Sequence, residues 1–459
     1  MNREGFTRLG NEPVWDIRKL PAGAVGLLGL QHLFAMFGAT VLVPLLTGLD
    51  ISTTLLMAGL GTLLFHWITK GKVPAFLGSS FAFLGGYAAV APMLNGQPNT
   101  EMLPYASGGV FFAGLIYVFL AAFIRVLGVK KVMRFFPPVV TGPIIISIGL
   151  TLAPSAIANA ATNWIVALVA ITIVIVFNIW GRGMMKIIPI ILGVVGGYMV
   201  ALLLNQVDFS GMTSAQIIGL PLKPENFMKF DISAIISIVP ISLATMMEHI
   251  GDITAISATV GKNYIQDPGL HRTLLGDGIA TSLAAAFGGP ANTTYGENTG
   301  VLVLTRVYDP RVMRLAACFA IFLSFFPVVS ELIHSIPVAV IGGVSLILYG
   351  MISAVGVRNL VENRVDFTKS RNLIVAASIF VCALGFTGEV SGISFSIGNA
   401  SIHLSGLAIA ALIGIFMNAI LPGKDYVFLE ESPQDTGVNF SGADTTKEGR
   451  GVHGEERSR

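Results

Sequence analysis

The sequence has few charged residues and few cysteines for its length. Of its 459 residues only 12% are charged, whereas a soluble globular domain carries about 25%. This shortage excludes a soluble domain, because too few charges remain to form a hydrated surface. The two cysteines, Cys318 and Cys382, lie in apolar runs and lack the spacing of a metal or redox site. We therefore expect both to be small residues of the apolar interior.

The first 20 residues are polar and contain no apolar stretch, so no cleavable signal peptide is predicted. What the chain does contain is hydrophobic residues, 53% of the total. They occur in runs of about 20, the length of a helix that spans a bilayer. These runs predict an all-α polytopic membrane protein. We predict fourteen transmembrane segments, with the approximate limits 22–46, 52–69, 74–94, 105–124, 135–153, 164–181, 187–204, 232–259, 271–287, 289–305, 312–331, 335–356, 372–388 and 402–421.

The positive charges test this number of segments, because Lys and Arg accumulate on cytoplasmic loops. With the N-terminus in the cytoplasm, fourteen segments place every Lys and Arg on the cytoplasmic side except Lys223 and Lys229. One segment more or fewer would move the basic residues that follow it to the opposite side of the membrane. The sequence thus predicts a multi-pass protein of the inner (plasma) membrane with both termini in the cytoplasm.

Three parts follow from this pattern. Residues 1–21 form a cytoplasmic N-terminal segment, 22–431 the transmembrane domain, and 432–459 a tail rich in small polar and charged residues. Because the tail has almost no apolar residues to bury, we expect it to be disordered in the cytoplasm.

The two halves of the chain share weak similarities in the same order. Gln31-His32 resembles Glu248-His249, and Pro74 corresponds to Pro290. Two sets of seven helices would insert in opposite orientations, as inverted repeats do. In such folds the substrate site lies near the membrane midplane, where interrupted helices of the two halves meet. Here the third and tenth segments are interrupted by Gly and polar residues, which places the candidate site between them.

Three of the acidic residues inside the predicted spans lie near the candidate site. Glu248 and Asp252 have the i, i+4 spacing that puts both on one helix face, and Glu297 lies in the tenth segment. A carboxylate at the bilayer centre costs about 2.5–3.5 kcal/mol on insertion scales, so these residues are candidates for function. Three ionised acids in one cavity would repel each other, so at least one is expected to carry a proton near neutral pH. Such a cluster suits both the binding of N–H donors and coupling to protons.

A purely structural role is the alternative for each acid, since a protonated carboxyl can also hydrogen-bond between helices. This alternative has most weight for Asp252. We expect Asp277, near the start of the ninth segment, to lie at the cytoplasmic edge with a structural role. We expect His32 and His249 to make helix–helix hydrogen bonds.

Several long motifs resemble one known family. The runs LQHLFAMFGAT (30–40), LGSSFAF (77–83), DPGLHR (267–272) and PANTTYGENTGVLVLTR (290–306) are similar to those of the nucleobase/ascorbate transporter family (nucleobase:cation symporter-2). Within that family they resemble the pattern of the bacterial uracil permeases. The resemblance extends over about residues 20–422.

The resemblance implies a fold of seven-plus-seven inverted repeats with short antiparallel strands in segments 3 and 10. It also implies a core domain of helices 1–4 and 8–11 that moves against a gate domain of helices 5–7 and 12–14. In uracil permeases the positions of Glu248 and Glu297 bind the pyrimidine ring. Backbone amides at Phe81 and Gly296 bind the substrate, and Ala39 and Tyr295 line the pocket.

One position departs from the uracil permease pattern. Those proteins have His four positions after the eighth-helix Glu, where this chain has Asp252. Purine-transporting relatives have an acid there, but they usually carry Gln at the position of Glu297. The resemblance therefore favours proton-coupled uracil import and leaves xanthine or urate as alternative substrates. Asp252, Glu248 and Glu297 are the candidates for proton coupling.

Two other functional classes fit the sequence less well than a nucleobase permease. An anion transporter on the same fold would need a basic or neutral site, and the acidic cluster argues against it. An intramembrane enzyme would need a catalytic motif, and the sequence contains neither HExxH nor a Ser/His/Asp arrangement. We expect no cofactor, metal or nucleic acid. The expected partners are a nucleobase, protons and the lipid bilayer; many such transporters form a homodimer, but the sequence does not set the oligomeric state.

Overall fold

The computed structural model describes residues 12–94, 97–209, 212, 216–386, 392–397 and 400–423. The predicted tail at 432–459 therefore lies outside the described residues. The described chain is mostly helical. Its α-helices are, in chain order, α1 (Ala22–Thr47), α2 (Ile51–Ile68), α3 (Leu84–Val90), α4 (Leu103–Leu127), α5 (Val129–Met133), α6 (Pro138–Ala161), α7 (Trp164–Trp180), α8 (Met184–Ile187), α9 (Pro189–Leu203), α10 (Ile232–Ile238), α11 (Ile241–Val260), α12 (Leu270–Ala286), α13 (Gly296–Thr305), α14 (Arg311–Ser324), α15 (Pro327–His334), α16 (Val338–Glu362), α17 (Ser370–Gly385) and α18 (Gly406–Ile420).

Polar side chains and glycines set the ends of several helices. Asp50 and Asp231 cap α2 and α10, because each carboxylate accepts a hydrogen bond from a backbone N–H of the first turn, at 2.8 Å in both helices. Gly48 and Gly261 end α1 and α11 with φ of 85° and 71°, a left-handed conformation that favours glycine. These signals break an almost uniformly apolar chain into separate helices.

Short strands interrupt the helices at two places. Strand β1 (Leu77–Ser79) pairs antiparallel with β2 (Asn292–Thr294), so the strands predicted in the third and tenth segments are present. Strands β3 (Gly392–Ile397) and β4 (Ala400–Ser405) form a second antiparallel pair that was not predicted. Because β4 occupies the start of the predicted fourteenth segment, that helix begins at Gly406 instead of 402.

Helix length and composition identify six helices in the described chain that could cross a membrane, with α10 and α11 taken together. A seventh is added if α14 and α15, which are bent by 85°, form one broken span. The chain is thus a membrane protein with several spanning helices. Each of the fourteen predicted segments contains a helix, but the number of crossings stays a prediction.

The helices pack in two groups. In one, α4 packs against α12 while α14 packs against α2. In the other, α6 packs along α16, α7 contacts α16, and α17 contacts α6. Glycine allows the close approach of α6 and α16, since an added Cβ at Gly356 would come within 2.6 Å of the Ile146 backbone nitrogen.

The described part of the N-terminal segment packs on the residues that follow α13. The backbone N–H of Val14 donates to Arg306 at 2.8 Å, and that of Tyr308 donates to Val14 at 2.9 Å. In the same segment, hydrogen bonds from Arg18 hold the pKa of Asp16 well below its usual range. The N-terminal segment is therefore attached to the end of the interrupted tenth segment.

The expectation for the cysteines is wrong at one position. Cys382 is partly buried, but Cys318 is exposed on α14. Apolar sequence context does not distinguish a residue facing other helices from one on the outer face of a membrane protein.

Candidate functional site

The β1–β2 pair brings the two interrupted segments together. The register joins Leu77 to Thr294 and Ser79 to Asn292. The pairing satisfies backbone groups that water does not reach inside a membrane protein. Immediately after each strand the chain becomes helical, in a 3-10 turn from Phe81 on one side and in α13 from Gly296 on the other. The first N–H groups of a helical turn have no partner within their own helix, so both turns begin with backbone groups that can donate hydrogen bonds.

Glu297 lies in the first turn of α13, and Glu248 and Asp252 lie one turn apart on α11. Helix α11 contacts α13, β2 and the 3-10 turn. The charge of Glu297 reaches the carboxyl groups of both Glu248 and Asp252, and that of Glu248 reaches Asp252, so the three acids lie near one another. A Cβ added to Gly296 would lie 3.7 Å from Oδ1 of Asp252, so the start of α13 faces that carboxyl. The structure thus brings together the acids that were predicted from separate halves of the chain.

The carboxyl group of Glu248 has an unused acceptor. Its Oε2 is buried and has no hydrogen-bond partner among the residues that the structure describes. The Glu248 side chain as a whole is only half-buried, as are Asp252 and Glu297. A buried, unpaired acceptor is costly, so it indicates a position where a ligand donor can be received.

Thr294 connects the acids to a second polar pair. Its hydroxyl donates to Asp252 Oδ2 at 3.0 Å, and its Oγ1 lies 3.3 Å from His249 Nδ1. The same His249 nitrogen lies 3.3 Å from Oδ2 of Asp277. His249 and Asp277 are both fully buried. A continuous polar chain therefore leads from Asp252 into the interior between α11 and α12.

The expected position of Asp277 is wrong. It is the eighth residue of α12 and is fully buried, so it does not lie at the edge of the helix. The prediction that His249 bonds between helices is confirmed by its contact with Asp277 of α12 at 3.3 Å, whereas Thr294 belongs to strand β2. The same prediction for His32 is confirmed, because Nδ1 of its ring lies 3.2 Å from Nδ2 of Asn298 on α13.

Tyr295 fixes the other side of the strand pair. Its hydroxyl donates to the Ser79 carbonyl at 2.9 Å and accepts from Thr40 at 3.3 Å. Thr40 follows Ala39 in α1, and Ala39 is fully buried. A Cβ at Gly78 would lie 2.5 Å from the Tyr295 ring, so glycine is required for this packing. Two predicted pocket residues, Ala39 and Tyr295, are thereby placed beside β1.

Phe81 is the remaining predicted residue. Its side chain is buried, and its ring meets the edge of Tyr349 on α16 with 6.1 Å between centroids. Tyr349 belongs to the second helix group, so the 3-10 turn of Phe81 contacts that group.

Sequence reasoning missed Thr294 and Asn298 as parts of the site. Both lie in the polar run Asn292-Thr293-Thr294-Tyr295-Gly296-Glu297-Asn298 that marked the tenth segment. This run could have identified both residues, because polar side chains in an apolar segment need hydrogen-bond partners inside the protein. Among the described residues, no cluster of His, Cys, Asp and Glu is arranged to hold a metal ion.

Comparison with known sequences agrees with this architecture. The profile of the Permease family matches residues 23–390. The uracil permease of Bacillus caldolyticus is 44% identical over 428 residues, which cover 90% of this chain and 96% of that protein. The uracil permease of Bacillus subtilis (strain 168) is 41% identical over 410 residues, or 86% and 91% of the two chains. That of Escherichia coli (strain K12) is 38% identical over 404 residues, or 86% and 90%.

Solved structures of other transporters share the fold. The transmembrane domain of the cyanobacterial bicarbonate transporter BicA superposes with a TM-score of 0.57 at 15% identity, covering 89% of this chain and 99% of that one. SLC26A9 superposes with a TM-score of 0.63 at 13% identity, covering 88% of this chain and 66% of that one. At such low identity these likenesses show the fold alone. The extent of the profile match and the identity to three permeases show that this chain belongs to the Permease family of membrane transporters.

Proposed function

We propose that the chain is a secondary transporter that imports uracil together with protons. The observation that carries this proposal is the buried, unpaired Oε2 of Glu248 beside the start of α13, where Glu297 lies. The names of the relatives at 38% to 44% identity, all uracil permeases, support the choice of substrate.

The chemistry of uracil matches the groups at the site. The ring has two N–H donors and two carbonyl acceptors. Glu248 and Glu297 accept from the N–H groups, and charge-assisted hydrogen bonds of this kind are the strong ones. The backbone amides of Phe81 and Gly296, at the start of two helical turns, serve the carbonyls. These two carboxylates and two amides pair all four polar groups of the desolvated ring, as binding requires. Ala39 and Tyr295 line the rest of the pocket.

Asp252 provides the proton site in this proposal. Its carboxyl group is close to Glu248 and Glu297, so a proton on one acid relieves the repulsion among all three. Thr294 holds the Asp252 carboxyl in place by its hydrogen bond of 3.0 Å. Proton and uracil then favour the same loaded state, which is what coupled transport requires.

The order of elements supports an inverted repeat of seven plus seven helices. In the first half α1 and α2 precede β1, and α3 and α4 follow it; in the second half α10–α11, taken together, and α12 precede β2, and α13 and α14 follow it. The packing is reciprocal as well, because α4 contacts α12 while α14 contacts α2. In this scheme the chain crosses the membrane fourteen times, with both termini in the cytoplasm.

The two packing groups correspond to the core and gate domains of the proposed mechanism. Helices α1–α4 and α10–α15 form the core, and α6–α9 and α16–α18 form the gate. Alternating access is movement of the core, which carries the acids, against the gate. The Phe81–Tyr349 contact is one of the places where this boundary closes over the substrate.

Uptake into liposomes tests the function. The purified full chain is reconstituted, and uptake of labelled uracil is measured with and without an inward proton gradient. We expect accumulation only with the gradient, and competition by unlabelled uracil. Uptake that ignores the gradient would end the proton-coupling claim.

A purine permease is the second candidate, favoured by the acid at position 252. The same assay separates the two, with excess xanthine, urate, cytosine or thymine added in turn. Block by xanthine or urate, without block by thymine, would assign the chain to purines. A Glu225→Gln variant, which removes an exposed loop acid, serves as the matched control for all site variants.

A further inference from the structure

A second concave feature lies away from the candidate site, between α4 and α18. It is a groove with a volume of about 1000 Å³. Its walls are almost entirely apolar and include Phe123 and Leu127 of α4 and Leu412 and Phe416 of α18. The two phenylalanines are exposed, at 57% and 61%. On the outer surface of a membrane protein, such a groove faces lipid.

One lysine breaks the apolar lining. Lys131 of α5 is the only charged residue among those that line the groove in the described chain. It is exposed and makes no ion pair with any described residue. Lys130 and Arg134 are exposed beside it. The groove is therefore apolar along its length with positive charge at one end.

We propose that this groove binds an anionic phospholipid, with its acyl chains against the apolar walls and its phosphate on Lys131. The combination of a long apolar surface and one basic end matches the two parts of such a lipid. Basic pockets between transmembrane helices are known to hold anionic head groups, each basic residue contributing attraction near the membrane surface. A soluble ligand would leave the apolar walls exposed, and a zwitterionic lipid would gain less from the lysine.

The position of the groove gives the lipid a means to affect transport. Leu243 of α11 also lines it, five residues before Glu248 on the same helix. Under the proposed function, α4 and α11 belong to the core and α18 to the gate. A lipid in the groove would thus contact both moving parts. This consequence rests on the proposed function, whereas lipid binding itself does not.

Native mass spectrometry of the full chain tests the binding. The protein is released from equimolar phosphatidylglycerol and phosphatidylethanolamine, and the ratio of the two lipids bound is measured. We expect the unaltered chain to prefer phosphatidylglycerol. In Lys131→Gln the ratio of bound phosphatidylglycerol to bound phosphatidylethanolamine should be about fivefold lower, because one lysine near an anionic head group contributes attraction of that size. Lys130→Gln, which loses the same charge outside the groove, should lower the ratio less than Lys131→Gln does.

A second variant tests the groove without changing its charge. Ala419→Trp, at the smallest lining residue, should reduce the number of lipids that remain bound, because the indole takes up part of the groove. Equal lipid ratios in Lys131→Gln and Lys130→Gln would overturn the proposal. A lipid-free dimer that Ala419→Trp dissociates would also overturn it, by showing that a second copy of the chain occupies the groove. Since no transport is measured, these results are independent of the test of uracil uptake.

Discussion

Thr294 donates a hydrogen bond to Asp252, with 3.0 Å between Oγ1 and Oδ2. Thr294 belongs to β2 and Asp252 to α11, so the strand pair and the acid-bearing helix are joined by this bond. The position of the carboxyl therefore depends on the strand register, and changes at either residue should affect the proposed proton site directly.

Thr294→Val should change the pH dependence of uptake. The carboxylate of Asp252 would lose a donor that stabilises its ionised form, so the pH profile of uptake should move toward higher pH. Thr294→Ser keeps the hydroxyl and should behave like the unaltered chain. Uptake is measured in liposomes from pH 5 to 8. Coincident profiles for the valine and serine variants would show that the bond has no part in coupling.

Asp252→Asn should separate binding from accumulation. The amide keeps the size of the side chain but does not take up a proton, so uracil binding should change less than concentrative uptake. Equilibrium binding and gradient-driven uptake are measured on the same preparation. Normal accumulation by this variant would remove Asp252 from the coupling scheme.

Glu297→Gln and Glu248→Gln should each weaken uracil binding about 10- to 100-fold. A charge-assisted hydrogen bond contributes about 1.5–3 kcal/mol, and each 1.4 kcal/mol is a factor of ten in Kd. Isothermal titration calorimetry on the purified chain measures this directly, with Glu225→Gln as the control. If both variants bind uracil as tightly as the control, the substrate does not lie between these residues.

Tyr295→Phe should reduce stability, because the buried Ser79 carbonyl loses its donor. The expected cost is about 1–3 kcal/mol. The thermal unfolding midpoint in detergent reports it. Tyr198→Phe provides the comparison, since its hydroxyl bonds to Ser335 in a less buried place. A larger loss for Tyr198→Phe than for Tyr295→Phe would contradict the role given to Tyr295.

The acids of the candidate site could be identified from the sequence alone. Glu248 and Asp252 share a helix face by spacing alone, and Glu297 stands out as a charge in an interrupted apolar segment. Their partners were not predictable in the same way. Whether Asp277 meets His249 depends on how α12 packs against α11, and periodicity within one helix carries no information about such a contact.

The β3–β4 pair shows another limit of predicting structure from the sequence. Ile393 and Phe395 alternate with serines, a period of two that favours a strand over a helix. The hydrophobic-run criterion merged β4 with the following helix, because both are apolar. Local periodicity would have found the strands, whereas their pairing with each other and the contact of His403 with Ser237 depend on the fold.

The pairing of β1 with β2 has a consequence for biosynthesis. Ser79 and the Tyr295 that binds it are separated by 216 positions in the chain. At about 5–20 residues per second, the ribosome needs roughly 10–40 s to supply the second strand after the first. During that time the edge of β1 has no partner strand, and its backbone groups must be held by other parts of the chain, by water or by the insertion machinery. The first half of the chain is therefore synthesised before the backbone of β1 has its partner strand, and the candidate site is completed only late in synthesis.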